Sequence, residues 1–308
     1  MTQIHTHEPG EQDSAYDGLL VNDARWAFGS DFDDPLAGVD TAVPDGVEAE
    51  VLAAYCLMLG DDALVLAQRL CEWCGHAPDL EEDVALANIA LDLLGQARVL
   101  LARAAAADPT VVPRLPAGSP VPAEDALAFF RDEAQFRNLR VVEAPNGDFA
   151  ETIARLVLFS TYRLALLERL TSSRDAVLAA VAAKGVKEVA YHRDFAAHWF
   201  VVLAQGTPNS RCRLEAGLDA LWPHWQEAFA THPVEAAAAA AGVGVAPASL
   251  REQVKAVLTA IFSAGQMQLG TPATMPGPGG RDGRHTEALG RLLAEMQVVA
   301  RAHPMGAW

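Results

Sequence analysis

From residue 46 onward, apolar side chains recur at spacings of three and four, and the chain reads as a succession of amphipathic helices. The pattern predicts helices over 47–74, 79–107, 123–142, 149–170, 174–204, 210–230, 250–264 and 286–302. The boundaries carry their own chemistry. Gly75 and Pro78 stop the first helix, and Asp79, with Glu82 three residues on, reads as the N-cap of the second. Period-two alternation is nearly absent, and Asn146-Gly147 follows a helix rather than joining two β-branched runs, so strands are not expected. Two stretches break the helical pattern. Residues 1–45, rich in Asp, Gly and Pro, read as an extended N-terminal arm with a loop at 30–35, and 234–247 is a short low-complexity run. The domain division is therefore an arm, 1–45, and a helical domain with a C-terminal helical extension, 46–308.

Four of the helices are long, about 33 to 46 Å at 1.5 Å per residue. They pair through short turns near Ala77 and Ser173, and some 40 residues separate the two pairs. Two long antiparallel hairpins joined by one crossover is the connectivity of a ferritin-like four-helix bundle, so the expected class is all-α of that type. Such a bundle can hold two metal ions. It then needs a Glu from each of two helices and a Glu-x-x-His from each of the other two, facing inward at one height. Counting out from the turns places Asp61 (or Asp62), Asp92, Leu93, Gln96, Ser160, Glu188, Tyr191 and His192 at that height. Leu93 stands where a carboxylate is needed and Gln96 where an imidazole is needed, while Ser160 replaces a third acid. Glu188 is a usable carboxylate, but Tyr191 follows it at i+3, and His192 is one position too far, turned by about 100°. The expectation is a degenerate site that holds no metal, and hence no cofactor and no catalytic residue in this chain. Asn88, Asp92 and Gln96, at i, i+4 and i+8, read either as a solvated stripe or as a polar relic inside the bundle held by Glu188 or Arg163.

Composition narrows the partners. Lys and Arg total 23 against 40 Asp and Glu, a net charge of −17, which disfavours nucleic acid and anionic membranes. Half the chain is apolar, enough for a sizeable core, yet the longest apolar run is interrupted by Asp92 and Arg98, so no membrane span is expected. Four scattered cysteines suit a reducing cytoplasm, and the Cys71-x-x-Cys74 pair, near a helix end, reads as core packing before redox or metal chemistry. No phosphate-binding or nucleophile-elbow motif occurs. The Gly-rich stretch before the last helix offers Arg281 and Arg284 to a phosphate or a carboxylate.

Three segments, "EWCGHAP", "ALDLLGQAR" and "VVEAPNGDFA", together with "KEVAYHRDFAAHWF" and the tail "HTEALGRLLAEMQ", resemble the PaaC family, the C-type subunits of bacterial phenylacetyl-CoA epoxidases (ring 1,2-epoxidases), over about residues 52–308. The resemblance implies a ferritin-like structural subunit of a multicomponent monooxygenase in aerobic phenylacetate degradation. It implies a sister subunit that carries the di-iron site and binds the CoA ester, and a reductase subunit that delivers electrons from NADPH. It places the arm outside the family core. The expected functional surface is then an interface, with Glu72, Trp73, His76, Phe129, Phe130 and Phe136 as candidate anchors. The competing expectation is an autonomous di-metal oxidase built on Asp61, Asp92, Glu188 and His192.

Overall fold

Helix α1 (Ala49–Cys71) and helix α2 (Leu80–Ala107) form the first hairpin of the bundle, and α5 (Phe149–Leu170) and α6 (Ala176–Gln205) the second. The computed structural model describes residues 35–270 and 277–306. Between the hairpins lie the short helices α3 (Ala123–Phe129) and α4 (Arg140–Glu143). After α6 come α7 (Pro208–Trp225), α8 (Pro233–Ala240), α9 (Arg251–Ala264) and α10 (Glu287–Ala302). No strand occurs among the described residues, and the all-helical, ferritin-like class expected from the connectivity holds.

Local chemistry sets the helix ends. The Asp79 carboxylate accepts from the Leu80 amide at 2.8 Å, and Glu81, Glu82 and Asp83 complement the positive end of α2. Asp175 caps α6 through the Leu178 amide at 2.9 Å. The same carboxylate takes Arg103 of α2, both side chains being fully buried, so one residue ends a turn and ties the hairpins together. Gly75, at φ +79°, supplies the left-handed residue that turns α1 toward α2.

The four long helices are not equivalent. Helix α1 buries 17 of its 23 residues and α5 18 of its 22, so both are apolar on nearly every side. Later elements cover them: α4 and α8 pack on α1, α7 and α9 on α5, and α10 on α1 and α3. Helix α2 buries 14 of 28 residues and α6 10 of 30, and each keeps one side open.

Three regions differ from the sequence expectation. The helix expected over 123–142 is broken, with α3 ending at Phe129 and a 3-10 turn at 133–135. A continuous helix would spend the Arg137 and Leu139 amides on carbonyls four residues back. Instead they donate to the buried carboxylates of Asp61 and Asp62 at 2.8 and 2.7 Å. The alanine-rich run, read from the sequence only as short and low-complexity, holds helix α8, capped by His232, whose ring accepts from the Val234 amide while Glu235 accepts from the His232 amide. Of the expected arm, residues 1–34 lie outside the described residues, and so does the 30–35 loop apart from Pro35. In the described part Leu36 is buried, Val39 and Val43 pack on the core, and the Thr41 carbonyl accepts from Arg103 at 2.9 Å.

Candidate functional site

Asp61 and Asp62 interrupt the most apolar stretch of α1 and are both fully buried. Two bare carboxylates there would each cost several kcal/mol, so the fold must answer them. Asp61 takes a two-pronged contact from Arg131, one prong at 3.0 Å, and Arg131 also lies over the Phe136 ring, 4.2 Å from its centre. Asp62 takes both terminal nitrogens of Arg281, at 3.1 and 2.8 Å. Arg281 donates further to the carbonyls of Met58 and Arg137, and Glu235 lies 3.5 Å from its Nε. Burial alone would lower the Arg281 pKa, but the Asp62 and Glu235 carboxylates outweigh it and hold the guanidinium charged. Of the two arginines that the sequence offers to an anion, Arg281 therefore meets a carboxylate inside the protein.

A third buried acid completes this layer. Glu143 accepts from the Thr286 amide, from Asn138 at 2.8 Å and from His285 Nδ1 at 2.7 Å. His285 Nε2 faces the Phe136 carbonyl at 3.0 Å, so both ring nitrogens meet acceptors. Burial works against the imidazolium, yet the Glu143 carboxylate and the Phe136 carbonyl raise the His285 pKa above its ordinary value.

At the centre of the four long helices sits Arg163 of α5, fully buried. Its Nη1 donates to the Leu59 carbonyl of α1 at 3.2 Å, and its Nη2 to Gln96 Oε1 of α2 at 3.2 Å. The Gln96 amide passes the contact on to Glu188 of α6 at 3.1 Å. The Arg163 guanidinium of α5 thus bonds α1 and α2 directly and reaches α6 through Gln96. Gly185 permits the close approach of α6, since a Cβ there would lie 2.9 Å from Leu167 and 3.3 Å from Gln96. One turn away, His192 Nε2 meets Asp92 at 3.0 Å. Burial lowers the His192 pKa against the pull of Asp92.

The donor set does not fit a di-metal centre. Such a centre needs anionic oxygens from all four helices. Here α1 turns both carboxylates toward arginines, α5 offers Ser160, whose hydroxyl bonds the Leu156 carbonyl, and Leu93 is buried apolar packing. Of the remaining donors, Glu188 accepts from Gln96 and Asp92 meets His192. Among the described residues, the cluster of three acids close enough to share an ion is Asp79, Glu81 and Glu82, at the surface end of α2. The expected orientation of α6 needs correction. His192 is 2% exposed and points inward, while Tyr191 is 52% exposed on the outer face, because Glu188 and His192 share a helix face at i, i+4. The polar stripe of α2 divides accordingly: Asn88 is exposed, Asp92 half-buried, and Gln96 buried between Glu188 and Arg163.

The interface candidates scatter. Phe136 is fully buried beneath Arg131 and is a core residue, since burying that ring shields the Asp61 pair from water. Trp73 is half-buried, donating to Thr152 at 3.0 Å and standing edge-on to Phe149. Glu72 pairs with Arg69 at 2.7 Å and accepts from Asn146, a lock between the end of α1 and the turn before α5. His76 is exposed and bonds only the nearby Cys74 carbonyl, while Phe129 and Phe130 are half-buried. Cys71 and Cys74 are exposed rather than packed in the core, because both lie on the outer side of the α1 terminus. Sequence reasoning missed the Asp61–Arg131, Asp62–Arg281, Arg103–Asp175 and Glu143–His285 pairs. The available signal was "CLMLGDDALVL", where two acids inside an apolar run require counter-charges from elsewhere.

Comparison with known proteins agrees with this architecture. Residues 39–308 match the family described as phenylacetic acid catabolic protein. A curated protein of Escherichia coli (strain K12), the C-type subunit of 1,2-phenylacetyl-CoA epoxidase, is 45% identical over 258 residues, covering 83% of this chain and 99% of that relative.

Proposed function

Because the chain belongs to the phenylacetic acid catabolic protein family, we propose that it is the structural subunit of a multicomponent phenylacetyl-CoA epoxidase and scaffolds a sister subunit that carries the di-iron site. In this reading the chain holds no metal or other cofactor and contributes no catalytic residue. The sister chain binds the CoA ester, a reductase subunit supplies electrons, and the assembly works in the cytoplasm. The observation that carries the reading is Arg163, a buried guanidinium within the bundle bonded to Gln96, with Leu93 and Ser160 buried at the positions counted from the turns. A permanent cation bonded to a carbonyl and an amide repels a second cation and offers no electron chemistry. What the residues do instead is hold shape: Arg131, Arg281 and Arg163 fix helix positions, and the strongly acidic surface disfavours binding of a CoA phosphate by this chain.

The test is reconstitution. The isolated chain, supplied with phenylacetyl-CoA, O2 and a reductase, is expected to consume no oxygen, and the sister chain is expected to lose yield or activity when this chain is withheld. Oxygen consumption by the isolated chain that disappears in Glu188→Ala would favour the autonomous oxidase instead.

A further inference from the structure

Helix α9 carries two stripes, each at the spacing of one helix face. Val254, Leu258 and Phe262 are buried against the bundle. Arg251, Lys255 and Thr259, each three positions earlier, line a recess between α9 and the end of α7. The facing wall is aromatic, built from Trp222, Trp225 and Phe229. Trp225 and Phe229 stand edge-on to each other at 5.3 Å, and Tyr162 of α5 stands edge-on to both, at 6.5 and 5.9 Å, so the core fixes this wall in place. Met267 and Leu269 line a third side. Gln266, at φ +53°, turns the chain back to place them, and its carbonyl accepts from Arg211 at 3.0 Å. The recess measures about 550 Å³, the size of an ordinary small-molecule site.

The hydrogen-bond donors around the recess are not spent. Among the described residues the indole N–H groups of Trp222 and Trp225 meet no acceptor, although Trp225 is only 3% exposed. A Trp buried that deeply ordinarily finds a partner for its N–H, so an unmet one on a recess wall leaves a place for an acceptor from a ligand. Gly270 keeps the Trp222 edge clear, since a Cβ there would lie 2.9 Å from Nε1. Lys255 is exposed and forms no ion pair among the described residues. Arg251 lies over the Phe229 ring, 4.7 Å from its centre, and its Nη1 donates to Gln226 at 2.7 Å, which leaves its other nitrogens without a carboxylate. Against these two cations the lining holds one acid, Glu252, so the recess is locally positive in a chain of net charge −17. Aromatic surface, unmet donors and excess positive charge together fit a flat apolar body that ends in an anion.

We propose that the recess between α7 and α9 binds a small organic carboxylate with a flat apolar body, the ring against Trp222 and Trp225 and the carboxylate on Lys255 and Arg251. The site is made by this chain alone and does not rest on the subunit reading. The test titrates the free full-length chain with phenylacetate, an aryl carboxylate of the kind in the family's description, and follows the indole N–H signals of its six tryptophans by heteronuclear NMR. Trp222→Phe and Trp225→Phe assign the two signals of the recess. Those two are expected to shift saturably, while the signals of Trp73 and Trp199 stay in place. Phenylacetamide, which keeps the ring and loses the charge, is expected to bind about 10-fold more weakly. Lys255→Glu should weaken phenylacetate by about 10-fold, leave phenylacetamide unchanged and keep the wild-type thermal midpoint, because that side chain is exposed and unpaired. Lys187→Glu, on an exposed lysine of α6, should leave both ligands unchanged. No saturable shift of the two recess indoles overturns the inference, and so do saturable shifts confined to other indoles, which place the ligand elsewhere. Equal affinity for acid and amide, or wild-type affinity for phenylacetate in Lys255→Glu, overturns the anion assignment and the proposal with it. Each of these failures leaves the subunit reading standing, since the free chain alone is titrated.

Discussion

Helix α1 and helix α2 belong to one hairpin, and their chemistry is opposite. Helix α1 carries two fully buried carboxylates, each held by an arginine from a distant segment, and later parts of the chain cover its outer side. Midway along helix α2 the carboxylate is Asp92, half-buried and set on a single histidine, and the outer side of the helix stays apolar and open. The covered half is completed by this chain's own residues: the broken 131–139 segment, Arg281 and the His285 clamp all exist to answer acids on or near α1. The open half has no such answer within the described residues. The difference teaches that the acids of α1 are fold determinants, whereas the outer surface of α2 is left out of the fold's own packing.

Substitutions at equivalent depths should separate the two halves. The largest effect is expected for Asp62→Ala, which strands Arg281 in the interior. It should cost roughly 3–5 kcal/mol in urea denaturation, with Arg281→Met comparably damaging because it strands Asp62. Arg163→Met should change stability by less than about 2 kcal/mol, because that guanidinium bonds a carbonyl and an amide, and Asp62, the buried carboxylate that acts on it, keeps Arg281 as its direct partner. If Arg163→Met proves as damaging as Asp62→Ala, the central cation is a keystone and the contrast between the halves fails.

The His285 clamp gives the covered half a pH signature. Its folded pKa is raised above the ordinary value of about 6.5, so its contribution is complete below that pH and fades as pH rises through the raised value. The gap in denaturation midpoint between the wild type and His285→Asn should therefore be wide at pH 6 and narrower at pH 9. A gap that widens with pH would mean that the ring is held neutral. The smallest effect is expected for Asp92→Ala on the open half, at most about 1 kcal/mol, because its carboxylate is 36% exposed and its partner is lowered toward the neutral form.

The bundle was legible in the sequence because long helices with Gly, Pro and Asp at their ends announce themselves locally. Asp79 and Asp175 cap where the pattern stops, and α5 runs over the span read from it. The break after Phe129 was not legible, since its cause lies some 70 residues upstream in Asp61 and Asp62, whose carboxylates take amides that a helix would use. Helix α8 was hidden for a different reason. A run of alanines has high helix propensity and no apolar periodicity, and its cap is a histidine. At the centre, Leu93, Gln96, Ser160 and Glu188 were found by counting from the turns, and Gln96 proves to be held by Glu188 and Arg163 together. The inward placement of His192 was missed because the search imposed a Glu-x-x-His register. A Glu and a His at i, i+4 also share a helix face.

Iron content, resolved by chain, tests the central claim most directly. The chain should be co-expressed with its sister subunits, the complex separated under conditions that retain metal, and iron counted in each polypeptide. The account predicts well under one iron in this chain and about two in the sister. Two irons bound here, between α1, α2, α5 and α6, would contradict it.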